Sequence, residues 1–505
     1  MNFLSTKSLK KIAMLCIVLG FGFQVTKAQQ FLTLEKALEY AETTSPSIIK
    51  SKLSITRQQK SLEAQRAALK SNFSLSVNAA QYDKSRAFSD ERNKWYTSES
   101  FNTGANLRVT QPILLTDGTI TLSDNFSWQS RSNDLNTSAA GATNLFRNAL
   151  SLSYDQPLFT YNRLKMTLRQ LELNLENANI SYALQRLNLE RSVTQQFYQV
   201  YMQQENLAIA QAELESTQKN YDIIKSKADA GLVALEEQYQ AELNLMQSKS
   251  SVSDREVSYE NAKDQLKLTL GMDLYEDFTI LNVSIDDQQH VDIDLDKAIE
   301  GGLARRMELR QREIDLENSE FSMIQVKAQN EFNGTLGLRL GITGDDKVLG
   351  NIYKKENTVN NPSVALSFNV PLFDWGEKKA RIAAQEASME SVKIDFEEQK
   401  KDIIISIREA YRSIQSQWDQ ISIAELTLKN AELTFQISET RYQNNQITGM
   451  DMNLQQQQYS SAQISYAQAQ INYKIELLNL KIQTLYDFEK NAPVVPQDLY
   501  LNENN

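Results

Sequence analysis

Apolar residues recur every seven positions in the second half of the chain, and this repeat predicts the longest helix. The repeat follows an apolar and polar alternation over residues 364–370. With one four-residue step, its apolar positions are Ile382, Met389, Phe396, Ile403, Ala410, Ile414, Ile421, Leu428, Phe435 and Tyr442. Such spacing is typical of a coiled-coil seam with one stutter. At 1.5 Å per residue, a helix of this length would be about 100 Å long and must extend out of any compact domain.

The same pattern occurs earlier in the chain, which indicates an internal duplication. The tripeptide Pro-Leu-Phe at 371–373 is also present at 157–159, 214 residues before it. At that offset the seam positions are Leu168, Leu175, Tyr182, Leu189, Val200, Leu207, Leu214 and Tyr221. A looser match pairs residues 33–34 with 294–295. The chain therefore contains two tandem copies of one unit.

The repeats divide the chain into five predicted parts. Residues 1–28 have the features of a secretory signal peptide, because lysines precede an apolar run and Ala28 offers a small-residue cleavage site. The only cysteine, Cys16, lies inside that run. The two repeats cover 29–271 and 294–487. An Asp-rich linker, 272–293, joins them, and a flexible tail, 488–505, follows them.

Each repeat is predicted to contain one long helix and two shorter ones. In the first repeat the predicted helices run over 34–70, with Thr33 as N-cap, over 163–228 and over 235–270. In the second, Asp294 is the matching N-cap and the last helix begins near Gly449 and ends near residue 487. Because each shorter helix is about half as long as the long one, we expect the two to lie end to end beside it.

Two residues are predicted to reverse the chain between the long and the last helices. Gly231 of the first repeat aligns with Asn445 of the second. Both residue types tolerate a left-handed backbone.

Strand-like alternation occurs twice in each repeat, around 73–77, 150–154, 336–342 and 364–370. The apolar face could form the core of a soluble sandwich, or it could face lipid in a membrane barrel. The membrane interpretation is favoured because four short strands have no partner layer beside such long helices. Aromatic residues also cluster where strands end, at Phe159, Tyr161, Phe373 and Trp375. Since four strands cannot close a barrel, several protomers must share one.

An additional hairpin is predicted over residues 104–130, around the turn signal Asp117-Gly118. The sequence leaves open whether this hairpin joins the barrel or covers one end of it.

Charge and motifs exclude several classes of function. The net charge is −11, and loss of the four lysines of the signal peptide makes it more negative, which argues against nucleic acid as a partner. The single histidine, His290, has no cysteine partner, and no hydrolase, phosphate-loop or zinc-protease motif is present. The Asp-x-Asp-x-Asp run at 292–296 lacks the glycine and glutamate of a calcium loop. No catalytic residue, metal site or cofactor is predicted.

Together these features resemble the TolC-like outer membrane efflux proteins. The specific parts are the duplication, the strand exits that contain Pro157, Pro371 and Trp375, and the helix turn over 230–237. The resemblance implies an α+β membrane protein that forms a homotrimer. Four strands per protomer would build a twelve-stranded outer membrane β-barrel, continued through the periplasm by a long α-helical coiled-coil barrel. It also implies a periplasmic adaptor protein and an inner membrane pump as partners, besides outer membrane lipid.

The resemblance further implies that the helix turns form the periplasmic entrance. Asp451 matches a position where acidic residues of the family can ring the entrance and favour cations, whereas Leu454 stands where a second acid can follow. Glu236 and Glu237 occupy the matching segment of the first repeat. Three symmetry-related carboxylates would concentrate cations at a constriction. Capping of the helix by Asp451 is the alternative role.

The predicted function is a passive channel-tunnel of a tripartite efflux or type I secretion system. Two alternatives remain at this point. The first is a secreted coiled-coil scaffold of the cell envelope, and the second is an envelope enzyme, which would need a pocket with perturbed carboxylates.

Overall fold

The structure is a computed structural model that describes residues 30–133, 143–281, 290–444 and 446–494. The predicted signal peptide 1–28, Asn445 and parts of the predicted linker (282–289) and tail (495–505) lie outside the described residues.

Among its described residues, the first repeat contains five strands and four helices, and a short strand follows it in the predicted linker. In chain order they are β1 (Gln30–Leu32), α1 (Leu34–Thr44), α2 (Pro46–Ala68), β2 (Asn72–Ser89), β3 (Lys94–Ile113), β4 (Gly118–Asn133), β5 (Thr143–Leu158), α3 (Arg163–Asp229), α4 (Leu235–Leu270) and β6 (Phe278–Ile280). The second repeat has the same order of helices with fewer strands between them. Its elements are α5 (Leu295–Arg305), α6 (Met307–Ala328), β7 (Asn333–Asp346), β8 (Thr358–Asn360), β9 (Ser363–Asn369), α7 (Glu377–Gln443), α8 (Gly449–Thr484), β10 (Tyr486–Asp487) and β11 (Ala492–Pro493).

The two long helices have the same length, and so do the two helices that follow them. Helices α3 and α7 each have 67 residues, and α4 and α8 each have 36. Helices α2 and α4 both pack on α3, and α6 and α8 both pack on α7. The predicted arrangement of two shorter helices beside each long helix is therefore confirmed.

The predicted seam of α7 packs against other helices of the chain. Ile403, Ala410, Ile414 and Ile421 are buried, and the other predicted positions are half-buried. The buried group packs with Tyr473 and Leu480 of α8 and Ala298 of α5 in one apolar cluster. An apolar stripe with a near-seven-residue period thus holds the shorter helices against the long one.

The prediction of one continuous helix over 34–70 is wrong. The helix breaks at Ser45, whose ψ of 127° is not helical, and restarts with Pro46 at its first position. Proline has no amide hydrogen to donate and disfavours helical geometry at the residue before it, so the periodic pattern continues while the helix does not. The second repeat breaks in the same way at Arg306, without a proline. The N-caps are confirmed, because Thr33 and Asp294 both accept backbone hydrogen bonds from the first turn.

Part of the predicted linker is folded into the core. Strand β6 pairs in parallel with β1, and Phe278 and Ile280 are buried in the same cluster as Phe197 of α3. At the other end of the second repeat, β11 pairs with β10, so residues 492–493 of the predicted tail fold back beside the end of α8.

The sheet contains more strands than the four predicted per protomer. In the part of the chain that the structure describes, it has seven antiparallel strands in the order β2-β3-β4-β5-β7, with β8 and β9 both paired to β7. The additional hairpin joins this sheet as β3 and β4, and it covers 94–133 instead of 104–130. Its ends were missed because they are rich in Ser, Asn and Thr, which weakens the apolar alternation that predicts a strand.

The sheet has one apolar and one polar face. Residues that lie directly opposite each other across five strands form an apolar row of Phe73, Val109, Leu122, Leu152 and Leu340. The neighbouring row on the other face is Ser74, Arg108, Ser123, Ser151 and Gly341. The apolar side chains remain exposed in the single chain, with Phe73 at 72% and Leu340 at 64%. A soluble sandwich would cover them with a second layer.

Aromatic rings lie at both ends of this apolar face. Trp128 of β4 contacts Phe101 of β3 on one side and Phe146 of β5 on the other. At the end near the helices, Phe159, Phe332 and Phe368 form a second cluster with ring centroids 5.2–6.4 Å apart. Among the described helices, none combines the length and the apolar character needed to cross a membrane.

Candidate functional site

The two helix turns lie together at the end of the molecule away from the sheet. A side-chain carbon at Gly449, the first residue of α8, would lie 3.7 Å from Ile224 of α3 and 3.8 Å from Tyr442 of α7. The structure thus brings the predicted turn residues Gly231 and Gly449 to the same end of the helical bundle.

The turn after α3 depends on the left-handed backbone of Gly231. Its φ is +72°, its amide donates to Ala228 O at 2.9 Å, and the next amide, of Leu232, donates to Lys227 O at 2.8 Å. This pair of bonds is the Schellman motif, in which glycine occupies the position that other residues adopt at a cost. At the equivalent place after α7, the amide of Gln446 donates to Arg441 O at 2.8 Å.

Glu236 and Glu237 lie in the first turn of α4, which has Ala234 at its N-cap and no side-chain cap. Carboxylates there complement the positive end of the helix dipole. Burial raises the pKa of the Tyr442 phenol of α7, and the negative charge of Glu237 nearby raises it further.

Asp451 forms a capping box at the start of α8. Its amide donates to Thr448 Oγ1 at 3.2 Å, and its carboxylate accepts from the Thr448 amide at 3.2 Å and from the Thr448 hydroxyl at 2.8 Å. Two otherwise unpaired amides of the helix end are satisfied in this way. The structure therefore supports the capping role, and it leaves the side chain exposed at the end of the helices where the turns lie.

A polar groove of about 470 Å³ lies beside this cap, between α3, α4 and α8. Its walls carry amides and hydroxyls, such as Gln240, Asn244 and Gln457, and two carboxylates, Asp451 and Glu213. Burial raises the pKa of Glu213, which is half-buried in this groove. The sequence did not single out Glu213, because acidic residues outside the seam resemble any solvated helix face.

The predicted exits from strand to helix lie at the opposite end of the helices. Pro157 is within β5, opposite Thr335, and Pro371 lies in the segment between β9 and α7. Trp375 has a φ of +55° and its ring contacts Phe373 edge to face at 4.6 Å. The carboxylate of Asp374 accepts hydrogen bonds from the amides of residues 376 and 378 at 3.0 Å each, which fixes the start of α7.

The hairpin turn is attached to the start of α3 by Asp117, which was predicted only as a turn residue. Its carboxylate accepts from the Leu164 amide at 3.2 Å and from Arg163 Nε at 2.8 Å. Asn162 Nδ2 donates to Leu114 O at 2.6 Å. Since Asp117 is only 6% exposed, these contacts hold the turn firmly on the helix end.

A family model described as outer membrane efflux protein matches residues 119–272 and 298–482. The chain belongs to this family. The outer membrane efflux proteins are transport proteins, so the family points to a channel. A search of curated proteins found no match.

Solved structures of outer membrane channels have the same fold at low sequence identity. The CmeC channel of Campylobacter jejuni is 14% identical, covers 93% of this chain and 88% of its own, and superposes with a TM-score of 0.68. VceC of Vibrio cholerae is 15% identical over 92% of this chain and 97% of its own, with a TM-score of 0.63. The open state of MtrE from Neisseria gonorrhoeae is 15% identical over 89% and 88%, with a TM-score of 0.63. At such identities the likeness shows the fold alone.

Proposed function

We propose that this outer membrane efflux protein is the passive exit duct of a tripartite efflux or type I secretion system. It acts as a homotrimer in the outer membrane of a Gram-negative bacterium. The sheets of three copies form a shared β-barrel, and the helices continue it as a coiled-coil barrel into the periplasm. A periplasmic adaptor protein and an inner membrane pump are its partners.

The observation that carries this proposal is the apolar face of the sheet with aromatic rings at both ends. From Gly334 to Asp346, β7 crosses the whole face. Twelve steps of about 3.3 Å along a strand tilted by about 40° correspond to a height of about 30 Å, which matches the hydrocarbon layer of a bilayer. Aromatic girdles at both interfaces are typical of proteins that cross the outer membrane as strands.

The edges of the sheet support assembly with further copies. Strand β2 has only β3 as a neighbour and β9 has only β7, so each leaves one row of backbone groups unpaired within the described chain. Unpaired backbone groups are too costly in lipid, and a closed barrel removes them. Pairing of β2 with β9 of a neighbouring copy would close the ring.

Two exposed apolar stripes support the same assembly along the helices. Near the turn, α4 exposes Leu235, Tyr239, Leu243 and Met246. The end of α7 exposes Ile423, Leu426, Leu433 and Ile437, on a different face from the buried seam. The stripes run along helices of opposite direction and begin at similar distances from the turns. A contact between two different surfaces of identical chains forms a closed ring when the rotation between copies closes.

The helix turns are proposed as the periplasmic entrance. Asp451, Glu236 and Glu237 of each copy place negative charge there, and Glu213 adds a further carboxylate in the adjoining groove. Acidic rings at a constriction raise the local concentration of cations.

The test is made on the mature protein purified in detergent. We expect a trimer on native gels, migration that changes on heating, and discrete conductance in planar bilayers with a preference for cations. A protein that stays soluble without detergent and gives no conductance would instead be the secreted scaffold. Loss of efflux or of secretion in a deletion strain then separates the two systems.

A further inference from the structure

The hairpin formed by β3 and β4 is built like the rest of the sheet. Its strand β3 pairs with β2 over the whole length from the pair Ser89–Lys94 to the pair Asn72–Thr110. Its strand β4 pairs with β5 from Arg131–Thr143 to Thr119–Asp155. The only register shift on these edges lies between residues 78 and 81. A hairpin that covered a barrel end as a plug or lid would not share two such long ladders.

The hairpin also continues both faces of the sheet. Its Val109 and Leu122 lie in the apolar row between Phe73 and Leu152. On the polar face, a row of small or uncharged residues crosses the hairpin without interruption, through Ser76, Asn106, Asn125, Ala149 and Thr343. The hairpin therefore has the side-chain pattern of a wall element, with an apolar face and a polar face that continue those of the neighbouring strands.

Strand directions show that the sheet can accommodate the hairpin as two added strands. In the antiparallel order β2-β3-β4-β5, β3 and β5 run in the same direction, so β2 would be antiparallel to β5 if the hairpin were absent. Phe73 would then face Leu152, and Leu75 would face Leu150, with the same alternation of faces. The hairpin therefore adds two strands to the sheet, and the residues of the other strands stay on the same apolar or polar face.

We propose that this hairpin widens the outer-membrane exit, because each protomer contributes six strands to the wall, β2 to β5, β7 and β9. The proposal rests on the proposed trimer. Barrel diameter grows with strand number, and with strands about 4.8 Å apart and tilted about 40°, eighteen strands enclose a backbone cylinder about 36 Å across. Twelve strands, four per protomer, enclose one about 24 Å across. The wider exit admits compact polypeptides as well as small molecules.

The structure also shows what fixes the hairpin in this place. Asp117 and Asn162 join its turn to the first residues of α3, at the junction of sheet and helices. The added strands are thus anchored at the end where a wider barrel must meet the helical tunnel.

The experiment measures the size limit of the exit with thiol labelling. The mature chain has no cysteine, because the only one, Cys16, belongs to the predicted signal peptide. Ser151→Cys places one thiol on the polar face of β5, and it is made in the full chain and in a chain from which residues 94–133 are excised. Intact cells are treated from outside with maleimide-polyethylene glycols of graded size. We expect the full chain to react with reagents at least about 1.5 times wider than the excised chain does, since 1.5 is the ratio of the two backbone diameters and side chains narrow both barrels.

Equal size limits in the two chains would overturn the proposal. If the excised chain does not assemble, the strands of the full-length protein are counted by cryo-electron microscopy in lipid nanodiscs. Six wall strands per protomer support the proposal, and four wall strands with residues 94–133 outside the wall contradict it.

A matched variant separates this result from failure of the proposed function. Leu152→Cys places the thiol on the apolar face, where lipid should protect it from the reagents. Equal labelling of Leu152→Cys and Ser151→Cys would count against a membrane barrel, whatever the role of the hairpin.

Discussion

Asp451 satisfies a helix end and carries charge at the proposed entrance, and these roles can be separated. Asp451→Asn keeps an oxygen that can accept the Thr448 amide but removes the charge, whereas Thr448→Ala keeps the charge and removes the cap. We expect Asp451→Asn to lower the cation preference with little loss of stability. Thr448→Ala should cost about 1 kcal/mol and leave ion preference unchanged. Reversal potentials in a salt gradient and thermal unfolding check both, and an unchanged reversal potential in Asp451→Asn would leave Asp451 a capping residue only.

Glu213 is a second carboxylate whose charge has a measurable cost. Burial raises its pKa above the usual 4.5, so the folded protein binds a proton there more readily than the unfolded chain. The contribution of Glu213 to the stability of the folded protein therefore decreases as the pH rises from the pKa of this group in the unfolded chain to its pKa in the folded protein. We expect Glu213→Gln to raise the melting temperature at pH 7 and to have no such effect at pH 3. Glu242→Gln, at an exposed position of α4, is the control, and a gain that is equal at both pH values would contradict the explanation.

Asp124 interrupts the apolar face that we propose to meet lipid. It lies between Leu107 and Leu150, and one of its carboxylate oxygens has no hydrogen-bond partner among the described residues. A charged group on a lipid-facing strand costs free energy, so Asp124→Leu should stabilise the protein by about 1 kcal/mol. Ser123→Leu, on the other face, should not, since it removes a 2.8 Å hydrogen bond to Ser151. Refolding into lipid vesicles from urea measures both, and destabilisation by Asp124→Leu would argue that this face meets water or protein.

At the scale of elements, a single backbone angle determines the first helix turn. Gly231→Ala must place a side chain at a φ of +72°, which costs about 1 kcal/mol or more although nothing lies within 4 Å of the new carbon. Gly449→Ala is the matched control, because Gly449 is the first residue of a helix and its new carbon would meet only ordinary contacts. We expect hydrogen exchange near the turn to rise in the first variant alone. Equal protection in both would show that the turn is held by its surroundings.

The elements also show how far sequence reasoning extends. Heptad spacing and the 214-residue offset predicted the bounds of α3 and α4 to within one residue and those of α8 to within three, because long periodic helices carry a strong signal. The break at Ser45 was missed because the apolar spacing continues across it, and only the backbone chemistry of Pro46 interrupts the helix. The full extent of β3 and β4 was missed because the ends of these strands have few apolar residues. Such ends are held in the sheet by pairing with neighbouring strands, which the pattern along one strand does not reveal.

The candidate site was predictable in its location but not in its chemistry. The alignment of the repeats places Glu236 and Asp451 near the turns, and the structure brings those turns together. The capping box requires the actual backbone geometry of residues 448–451, and the position of Glu213 depends on how three helices pack. Neither can be obtained from residue spacing alone, because the crossing angle and the rotation of each helix decide which of its residues meet the neighbouring helices.

At the scale of the whole molecule, the proposed trimer depends on the two exposed apolar stripes near the turns. Leu433 lies in the stripe of α7 and is half exposed in the single chain. Leu433→Lys would bury a charge against the α4 stripe of a neighbouring copy, and unpaired charges are strongly unfavourable in such contacts. We expect the trimer to dissociate or to melt at a clearly lower temperature, as measured by light scattering on the detergent-purified protein. Glu432→Lys, one residue away, changes the charge by more but lies outside the stripe, so it should leave the trimer intact. If both variants remain equally stable trimers, the helices meet through other surfaces, and the closed edges of the sheet must hold the three copies together.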